Sequence, residues 1–274
     1  MSTNKNLTKK LTESAVLIAL ATVLSYVTLL NLPYGGSVTL CSVAPIIILS
    51  YRHGTLWGVF SAFVFSLIQL LQGLGNLSYA TSASAAIAII LLDYVIAFTL
   101  AGLGGVFKKT FNSQTVALIL GTIIGCAFRY ICHVISGCTV WAGVSIPDSQ
   151  AIIYSLAYNA TYMLPELIVT LIGVAYLSSA IDFSGDRLER KISTEKSNKA
   201  FALKTTGLLF GTAALIWDVV IVSGTLQNAE TGDFDITGLA NVNYKVLLAV
   251  TLIGGAICLF LCLLSSKFAK EKNA

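Results

Sequence analysis

The chain has 274 residues, of which 56% are hydrophobic and only 11% are charged, and its mean hydropathy is +0.83. A soluble domain carries about 25% charged residues, so this chain lacks the polar groups needed to cover a globule. The composition argues against a soluble enzyme, a nucleic-acid-binding protein and a disordered protein. It favours a multi-span membrane protein.

Apolar stretches recur along the chain at lengths that fit a bilayer. A membrane-spanning helix needs about 20 mostly apolar residues, and reading such stretches between polar, Gly or Pro breaks predicts eight spans. The second is short and contains Pro45, so we expect a tilted or broken helix there. The first is too long for a signal peptide and has no small-residue cleavage site, so we expect it to be retained. The predicted spans are 12–31, 37–51, 55–73, 81–107, 114–138, 149–180, 204–226 and 245–266.

The basic residues are distributed unevenly between the two sides of these spans. With eight spans both termini lie on one side, which holds 15 of the 17 Lys and Arg residues. Lys245 lies on the other side, and Arg129 falls within a span. By the positive-inside rule the basic side is cytoplasmic, so we expect a multi-pass protein of the cell membrane with both termini in the cytoplasm. The 15 residues are Lys5, Lys9, Lys10, Arg52, Lys108, Lys109, Arg187, Arg190, Lys191, Lys196, Lys199, Lys204, Lys267, Lys270 and Lys272.

One long polar stretch, from Asp182 to Ala202, divides the spans into two groups, and its mixed charges are typical of a solvated linker. The predicted organisation is a six-span core over residues 1–180, a cytoplasmic linker over 181–203 and a two-span appendix over 204–274. No internal repeat relates the two halves, which argues against an inverted-repeat transporter. The predicted fold class is an all-α polytopic membrane helix bundle, with a six-helix core and two additional C-terminal transmembrane helices.

Few ionisable side chains fall inside the predicted spans, and such groups usually face a cavity or a partner. Asp93 lies near the middle of span four. Arg129 and His133 lie four residues apart in the outer half of span five, which puts both on one helical face. Polar and aromatic side chains from spans four to six, and from the loop between the last two, therefore gather at one depth, open to the outside. They are Asp93, Tyr94, Arg129, His133, Trp141, Tyr154 and Asn159.

These residue types suit a flat, cationic, heteroaromatic ligand. Aromatic rings stack on a planar group and attract positive charge through their faces. A carboxylate accepts hydrogen bonds from an amino group, and an amide offers both a donor and an acceptor. The residues alone leave two interpretations open, a ligand site or an Asp93–Arg129 ion pair that only neutralises two buried charges. Glu166, which follows Pro165, is not assigned to the site.

Motifs for ATP binding and for catalysis are missing from the sequence. It has no GxxxxGK[ST] phosphate loop, no HExxH or GxSxG motif and no paired Cys-x-x-Cys arrangement. Its two histidines, His53 and His133, lie on opposite sides of the predicted membrane. We therefore expect no enzyme activity, no cofactor and no metal site.

Several short stretches occur in a fixed order along the core. They are residues 12–15 (TESA) leading into Ala19, 32–37 (LPYGGS), 91–94 (LLDY), Arg129-Tyr130 with His133 and Trp141, and 154–159 (YSLAYN). In this order and spacing, the chain from about residue 12 to 180 resembles the thiamine-specific substrate-binding (S) component of energy-coupling factor (ECF) transporters. The resemblance implies a six-helix membrane protein that binds thiamine, its transported ligand, from outside.

The resemblance also implies roles for individual residues and for partners. Ala15 and Ala19 match the helix-one motif that docks on the ECF transmembrane coupling subunit. That subunit and two ATPase subunits supply the energy, in keeping with the missing phosphate loop. The positions that match vitamin contacts of the family are Asp93, Tyr94, Arg129, His133, Trp141, Tyr154 and Asn159.

The chain departs from the family pattern at a few points. Gly36 stands where the family has an aromatic ligand contact, and Tyr79 takes the place of a loop tyrosine although the local length differs. The two spans after residue 180 lie outside the resemblance. Two alternatives therefore stay open: an S component for another vitamin or a thiamine precursor, and a stand-alone secondary transporter of a cationic amine that uses Asp93 as a proton relay.

Overall fold

A computed structural model describes residues 2–32, 35–142, 151–191, 195–226, 228 and 235–270. Over these residues the chain folds into helices joined by short turns, with two small antiparallel ribbons. One ribbon pairs β1 (Thr28–Asn31) with β2 (Ser37–Thr39), and the other pairs β3 (Ile181–Asp182) with β4 (Glu189–Arg190). The helices are α1 (Ser2–Tyr26), α2 (Ala44–His53), α3 (Thr55–Gln72), α4 (Ala83–Gly105), α5 (Gln114–Thr139), α6 (Ala151–Ala180), α7 (Glu195–Thr225) and α8 (Tyr244–Lys270).

Six of the described helices, α3 to α8, are long and apolar enough to cross a membrane. The protein is therefore an all-α polytopic membrane bundle, as the sequence predicts. The other two predicted spans differ from this pattern. α1 has 25 residues but carries Lys9, Lys10 and Glu13 in its first half. α2 has only ten residues, about 15 Å of helix, which agrees with the expected short second helix.

The chain divides into two compact units. The first comprises Met1–Ser178 and Phe183–Leu188, and the second comprises Ser179–Asp182 and Glu189–Ala274. The predicted linker over 181–203 contains β3 and β4, and α7 already begins at Glu195. The polar composition of this segment predicts a linker, but the segment also contains the start of a helix. Charged residues are compatible with helical structure, so polarity alone does not mark where the helix begins.

Small residues let the helices of the first unit approach closely. A Cβ atom on Gly121 of α5 would lie 1.9 Å from the carbonyl oxygen of Gly104 in α4. The Ser50 hydroxyl of α2 donates to the Gly102 carbonyl at 2.5 Å and accepts from the Gly105 N–H at 2.9 Å. Close backbone approach of this kind is a common basis of helix association in lipid. Gly121 therefore lets α5 pack directly against the backbone of α4.

A cluster of partly buried polar groups connects α1 to α2 in the first unit. The Glu13 carboxylate accepts from Nε and Nη2 of Arg52 at 2.9 Å each and lies 2.8 Å from Nε2 of His53. Arg52 also donates to the Phe183 carbonyl at 3.0 Å, and the Phe183 N–H donates to Oε1 of Gln114 in α5 at 2.8 Å. The segment after α6 is therefore fastened to the same end of the bundle as the first half of α1.

The β1–β2 ribbon packs on α6 near the opposite end of α1. Leu32, which follows β1, and Val38 of β2 form a buried cluster with Tyr162 and Met163 of α6. The Gly36 N–H between the strands donates to the Tyr158 hydroxyl at 3.3 Å. The ribbon thus fixes the chain between α1 and α2 against the first half of α6.

The second unit is built on α7 packed against α8. A Cβ atom on Gly254 would lie 2.3 Å from the Cβ of Ala214, so this glycine allows close contact between the two helices. The Thr251 hydroxyl of α8 donates to the Asp218 carboxylate of α7. Asp218 is therefore bonded across the hairpin, a partner that the sequence does not reveal.

Candidate ligand-binding site

A π-helical segment interrupts α4 at two of the residues that the sequence predicts for the ligand site. It covers Ile89–Val95 and contains Asp93 and Tyr94. π-Helical turns are rare and occur mostly at functional sites. Both side chains line a cavity of about 340 Å³ in the first unit, a size in the range of small-molecule pockets.

Asp93 has protein partners on both of its carboxylate oxygens. Oδ1 lies 3.0 Å from Nδ1 of His133, and Oδ2 accepts from the Ser136 hydroxyl at 2.8 Å and from the Trp141 indole N–H at 3.0 Å. The three partners stand on α5 or directly after it. The carboxylate therefore joins α4 to the end of α5 and orients two of the residues predicted to contact a ligand.

Tyr94, the neighbour of Asp93, is held separately, by residues that follow α3. Its hydroxyl donates to the Gly73 carbonyl at 3.1 Å and accepts from the Asn76 side-chain amide at 2.8 Å. A Cβ atom on Gly73 would lie 2.1 Å from the Tyr94 hydroxyl oxygen, so a glycine is needed for this approach. The ring is 8% exposed and lines the cavity.

Arg129 and His133 lie on one face of α5, as predicted, but they have different partners. Arg129 donates to Oε2 of Glu166 in α6 at 2.7 Å, and its guanidinium stands 4.2 Å from the centre of the Phe98 ring. The Asp93–Arg129 ion pair, which the sequence leaves open, is therefore not formed. Arg129 is paired with a carboxylate on α6, because Glu166 projects from that helix towards α5.

Glu166 also bonds to the last residue of β2 and lies near the turn that follows it. Its Oε1 accepts from the Thr39 hydroxyl at 2.6 Å, and the Ser42 hydroxyl lies 3.4 Å from the same oxygen. The side chains of Glu166 and Arg129 are 3% and 7% exposed. The sequence leaves Glu166 outside the candidate site, whereas the structure places it among the residues that line the cavity.

α6 contributes an amide and two tyrosines. Asn159 donates from its amide to the His133 carbonyl at 3.3 Å, and its Oδ1 accepts from the Tyr162 hydroxyl at 2.6 Å. Tyr158 and Tyr162 stand beside Gly36, where an added Cβ atom would lie 2.9 Å from each of them. The rings of α6 therefore occupy the space next to Gly36, where the family resemblance leads one to expect an aromatic residue.

The structure brings six of the seven predicted residues to the cavity. Asp93, Tyr94, Arg129, His133, Trp141 and Asn159 line it, whereas Tyr154 is partly buried on α6 and is not among the described residues that line it. Tyr79 lies with its ring centre 5.7 Å from that of Trp141. The lining residues missed by sequence reasoning include Gln69, Gln72, Asn76, Tyr162 and Glu166.

A helical spacing in α6 could have revealed part of this set. Asn159, Tyr162 and Glu166 follow one another at intervals of three and four residues, which places them on one face of a helix. Of these three residues, sequence reasoning selects only Asn159 for the site. A polar stripe on an otherwise apolar helix was the available signal.

Three buried polar atoms of the lining have no hydrogen-bond partner among the described residues. They are Nε2 of Gln72, Nε of Arg129 and Nε2 of His133. Leaving such an atom unpaired costs about 1–3 kcal/mol, so a movement or a ligand group that supplies a partner would stabilise the site. Its ionisable residues comprise two carboxylates, Asp93 and Glu166, against the single guanidinium of Arg129 and the imidazole of His133.

The predicted docking residues lie away from this cavity on α1. Ala15 and Ala19 are exposed, together with Leu11, Val16 and Leu20. Glu13 and Ser14, on another side of the helix, bond to α2 and α3: the Trp57 indole N–H donates to the Ser14 hydroxyl at 2.9 Å. Glu13 and Ser14 thus attach one side of α1 to the bundle. The side that carries Ala15 and Ala19 is not covered by other described residues.

A polar, aromatic-lined cavity enclosed by helices that cross a membrane defines a membrane-embedded small-molecule-binding protein. The family described as thiamine transporter protein (Thia_YuaJ) matches residues 11–185, which is more than half of the chain, and the chain belongs to this family. The resemblance seen in the sequence is thereby confirmed.

Named relatives support the same assignment. The chain is 33% identical over 188 residues to the thiamine transporter ThiT of Bacillus subtilis strain 168, covering 65% of this chain and 93% of the relative. It is 29% identical over 181 residues to ThiT of Lacticaseibacillus paracasei, covering 60% and 84%. A solved structure of ThiT from Listeria monocytogenes matches with a TM-score of 0.52 and 26% identity, covering 64% of this chain and 94% of that one.

Proposed function

We propose that this protein is the thiamine-binding S component of an ECF-type vitamin transporter. The observation that carries the proposal is the cavity between α4, α5 and α6, which is lined by Asp93, Tyr94, His133, Trp141 and Asn159 in a chain of the thiamine transporter family. The aromatic rings suit the two flat rings of thiamine, and two carboxylates against one arginine suit its single positive charge. The protein acts by binding and carries out no covalent chemistry.

The positions of the basic residues support binding of the ligand from the outside of the cell. The cavity is lined by residues near the C-terminal ends of α1 and α3 and in the first half of α6, including Ser25, Gln72 and Asn159. The basic residues Lys9, Arg52 and Lys108 belong to the opposite ends of the helices. By the positive-inside rule the basic end is cytoplasmic. The termini are then cytoplasmic, and the cavity opens outward.

Energy for import would come from partner subunits. The exposed small-residue face of α1, with Ala15 and Ala19, suits close approach of another transmembrane helix. We assign this face to the ECF transmembrane coupling subunit, which works with two ATPase subunits. Ala15→Trp and Ala19→Trp should each abolish co-purification with the coupling subunit and leave thiamine binding unchanged, since neither residue lines the cavity. Loss of thiamine binding in these variants, or unaltered co-purification, would contradict the assignment.

Titration calorimetry of the detergent-purified chain tests the binding function. We expect thiamine to bind in a one-to-one ratio and more tightly than its free aminopyrimidine precursor, which lacks the cationic thiazolium ring. Tighter binding of the precursor would instead identify an S component for that compound. Uptake of thiamine into liposomes by this chain alone, driven by a pH gradient, would overturn the ECF assignment in favour of a secondary transporter.

A further inference from the structure

The exposed side chains of α1 form one face along the helix. They recur at intervals of three and four residues, whereas Ser14, Ala21 and Ser25 on the opposite side are buried. The exposed face includes Leu11, Ala15, Val16, Ala19, Leu20 and Val23. Its two alanines allow close approach of another helix, but only when α1 is rotated so that they point outward.

Hydrophobicity does not fix this rotation. Lipid chains are as apolar as Leu, so an apolar helix face gains little by turning towards the bundle or away from it. The half-buried Leu17, Ile18 and Leu24 are as apolar as the exposed residues beside them. The polar bonds of α1 to its neighbours therefore determine which face points outward.

Two of these bonds connect α1 to α3 along a single line. The Ser14 hydroxyl accepts from the Trp57 indole N–H at 2.9 Å. The Ser25 hydroxyl donates to Oε1 of Gln72 at 3.0 Å and accepts from the Gln69 amide at 3.1 Å. Ser25 follows Ser14 by 11 residues, about three helical turns, so both stand on one side of α1. Attachments on one line hold the helix to α3 but leave it free to roll about that line.

Glu13 supplies an attachment off that line, to a different helix. Its carboxylate accepts from Nε and Nη2 of Arg52 in α2 at 2.9 Å each and lies 2.8 Å from Nε2 of His53. The Arg52 side chain is 3% exposed and also donates to the Phe183 carbonyl at 3.0 Å. A bidentate bond to a fixed arginine is strong and directional. It restrains the rolling that the bonds to α3 allow.

We propose that Glu13 is a positioning residue for partner docking: its bond to Arg52 sets the rotation of α1 so that Ala15 and Ala19 point outward. The identity of the partner, the ECF coupling subunit, rests on the proposed function. The rotation of α1 depends only on this chain. Glu13 and Arg52 are not among the described residues that line the cavity, so their effect on docking is separable from ligand binding.

Lys9 offers a matched control because it stands four residues before Glu13, on the same side of α1. Its ammonium lies 3.5 Å from the Asp186 carboxylate, but its side chain is 35% exposed and that of Asp186 is fully exposed. Exposed ion pairs of this kind contribute little. Lys9→Ala and Glu13→Ala each remove one charge from the same side of the helix, and only Glu13→Ala breaks the bond to Arg52.

The first measurement is electron paramagnetic resonance of the ligand-free chain in lipid bilayers, with its six cysteines replaced. A nitroxide label is placed in turn at each of residues 15 to 20, and its accessibility to oxygen in the lipid is recorded. We expect high values at 15, 16, 19 and 20 and low values at 17 and 18, in the parent and in Lys9→Ala. In Glu13→Ala this contrast should shrink or move along the helix.

A pattern in Glu13→Ala that matches the parent's would overturn the proposal, and so would a parent without the contrast. A variant that is merely less stable unfolds at a lower temperature but keeps the pattern while it is folded. The accessibility pattern therefore separates positioning from general destabilisation.

The second measurement is the affinity of the full-length variants for the coupling subunit assembled with its two ATPase subunits. Apparent affinity falls in proportion to the fraction of chains in the docking orientation, and we expect a fall of about 10-fold in Glu13→Ala. Lys9→Ala should bind as the parent does, and thiamine affinity should be unchanged in both variants. Unchanged docking of Glu13→Ala, or an equal loss in Lys9→Ala, would contradict the role of Glu13.

A double variant tests whether Glu13 acts through Arg52. Glu13→Ala/Arg52→Ala should dock no more weakly than Arg52→Ala alone, because the bond is already absent in the single variant. Additive losses would show that Glu13 acts on docking without Arg52. If the parent does not bind the coupling subunit, the proposed partner is wrong. The accessibility pattern still decides the role of Glu13 in that case, because it requires no partner.

Discussion

The Arg129–Glu166 pair shows how a single buried charge depends on its partner. The two side chains are 7% and 3% exposed and bond at 2.7 Å. Removing one member of a buried pair leaves an uncompensated charge and destabilises proteins by about 3–5 kcal/mol, whereas replacing both by apolar residues is often neutral. The pair therefore constrains which substitutions the site accepts.

We predict that Glu166→Met lowers the thermal unfolding temperature of the purified protein strongly. The double variant Arg129→Met/Glu166→Met should recover most of the loss, because it removes the charge that the single variant leaves unpaired. Thermal unfolding in detergent, measured as a double-mutant cycle with Arg129→Met, checks this. Equal instability of the single Glu166→Met and double variants would show that packing, and not charge, dominates at this position.

Sequence reasoning finds residues of this kind only in part. Asp93 and His133 could be selected because ionisable groups stand out in apolar spans and their depth follows from the span order. The partner of Arg129 could not be selected, because the choice between Asp93 and Glu166 depends on the rotation of α4 and α6 about their axes. That rotation is set by packing, which a hydropathy pattern does not record.

At the scale of the helices, α4 combines two irregular parts. Its π-helical segment, Ile89–Val95, carries Asp93 and Tyr94, and its glycine-rich end, Ala101–Gly105, packs against neighbouring helices. The length and the apolar character of the span are readable from the sequence. The π-helical turn is not, since a change of helical period over seven residues leaves no clear mark in a continuous apolar run.

The contact between α4 and α5 yields a graded prediction from two glycines one turn apart. A Cβ atom on Gly121 would lie 1.9 Å from the Gly104 carbonyl oxygen, whereas one on Gly125 would lie 3.3 Å from the Cα of Ala101. We expect Gly121→Ala to lower the unfolding temperature clearly, because backbone must move. Gly125→Ala should have a small effect, since helix propensity favours alanine by about 1 kcal/mol and offsets the tighter contact.

Thermal unfolding of both variants in the same detergent checks this order, with each serving as the control for the other. A larger loss in Gly125→Ala than in Gly121→Ala would mean that the two helices are not packed at Gly104. Thiamine binding should follow the same order, because α4 and α5 carry Asp93 and His133.

At the scale of the whole molecule, the candidate site lies in the part of the chain that matches the thiamine transporter family. The family match ends at residue 185, and the match to the Bacillus relative covers 93% of that protein but only 65% of this chain. All described residues that line the cavity belong to the first unit, which also includes Phe183–Leu188. The sequence predicts the existence of the appendix but ends the core at residue 180, before a segment that belongs to the first unit.

We therefore predict different outcomes for two truncations. A chain ending after Lys191 keeps the bonds of Phe183 to Arg52 and Gln114 and should bind thiamine with the parent's affinity in titration calorimetry. A chain ending after Ala180 loses these bonds together with the buried Phe183 side chain. It should lose at least about 3 kcal/mol of stability, seen as a lower unfolding temperature. Loss of binding in the longer chain would show that the site needs residues beyond 191, and equal stability of both chains would show that the segment after α6 does not hold the core together.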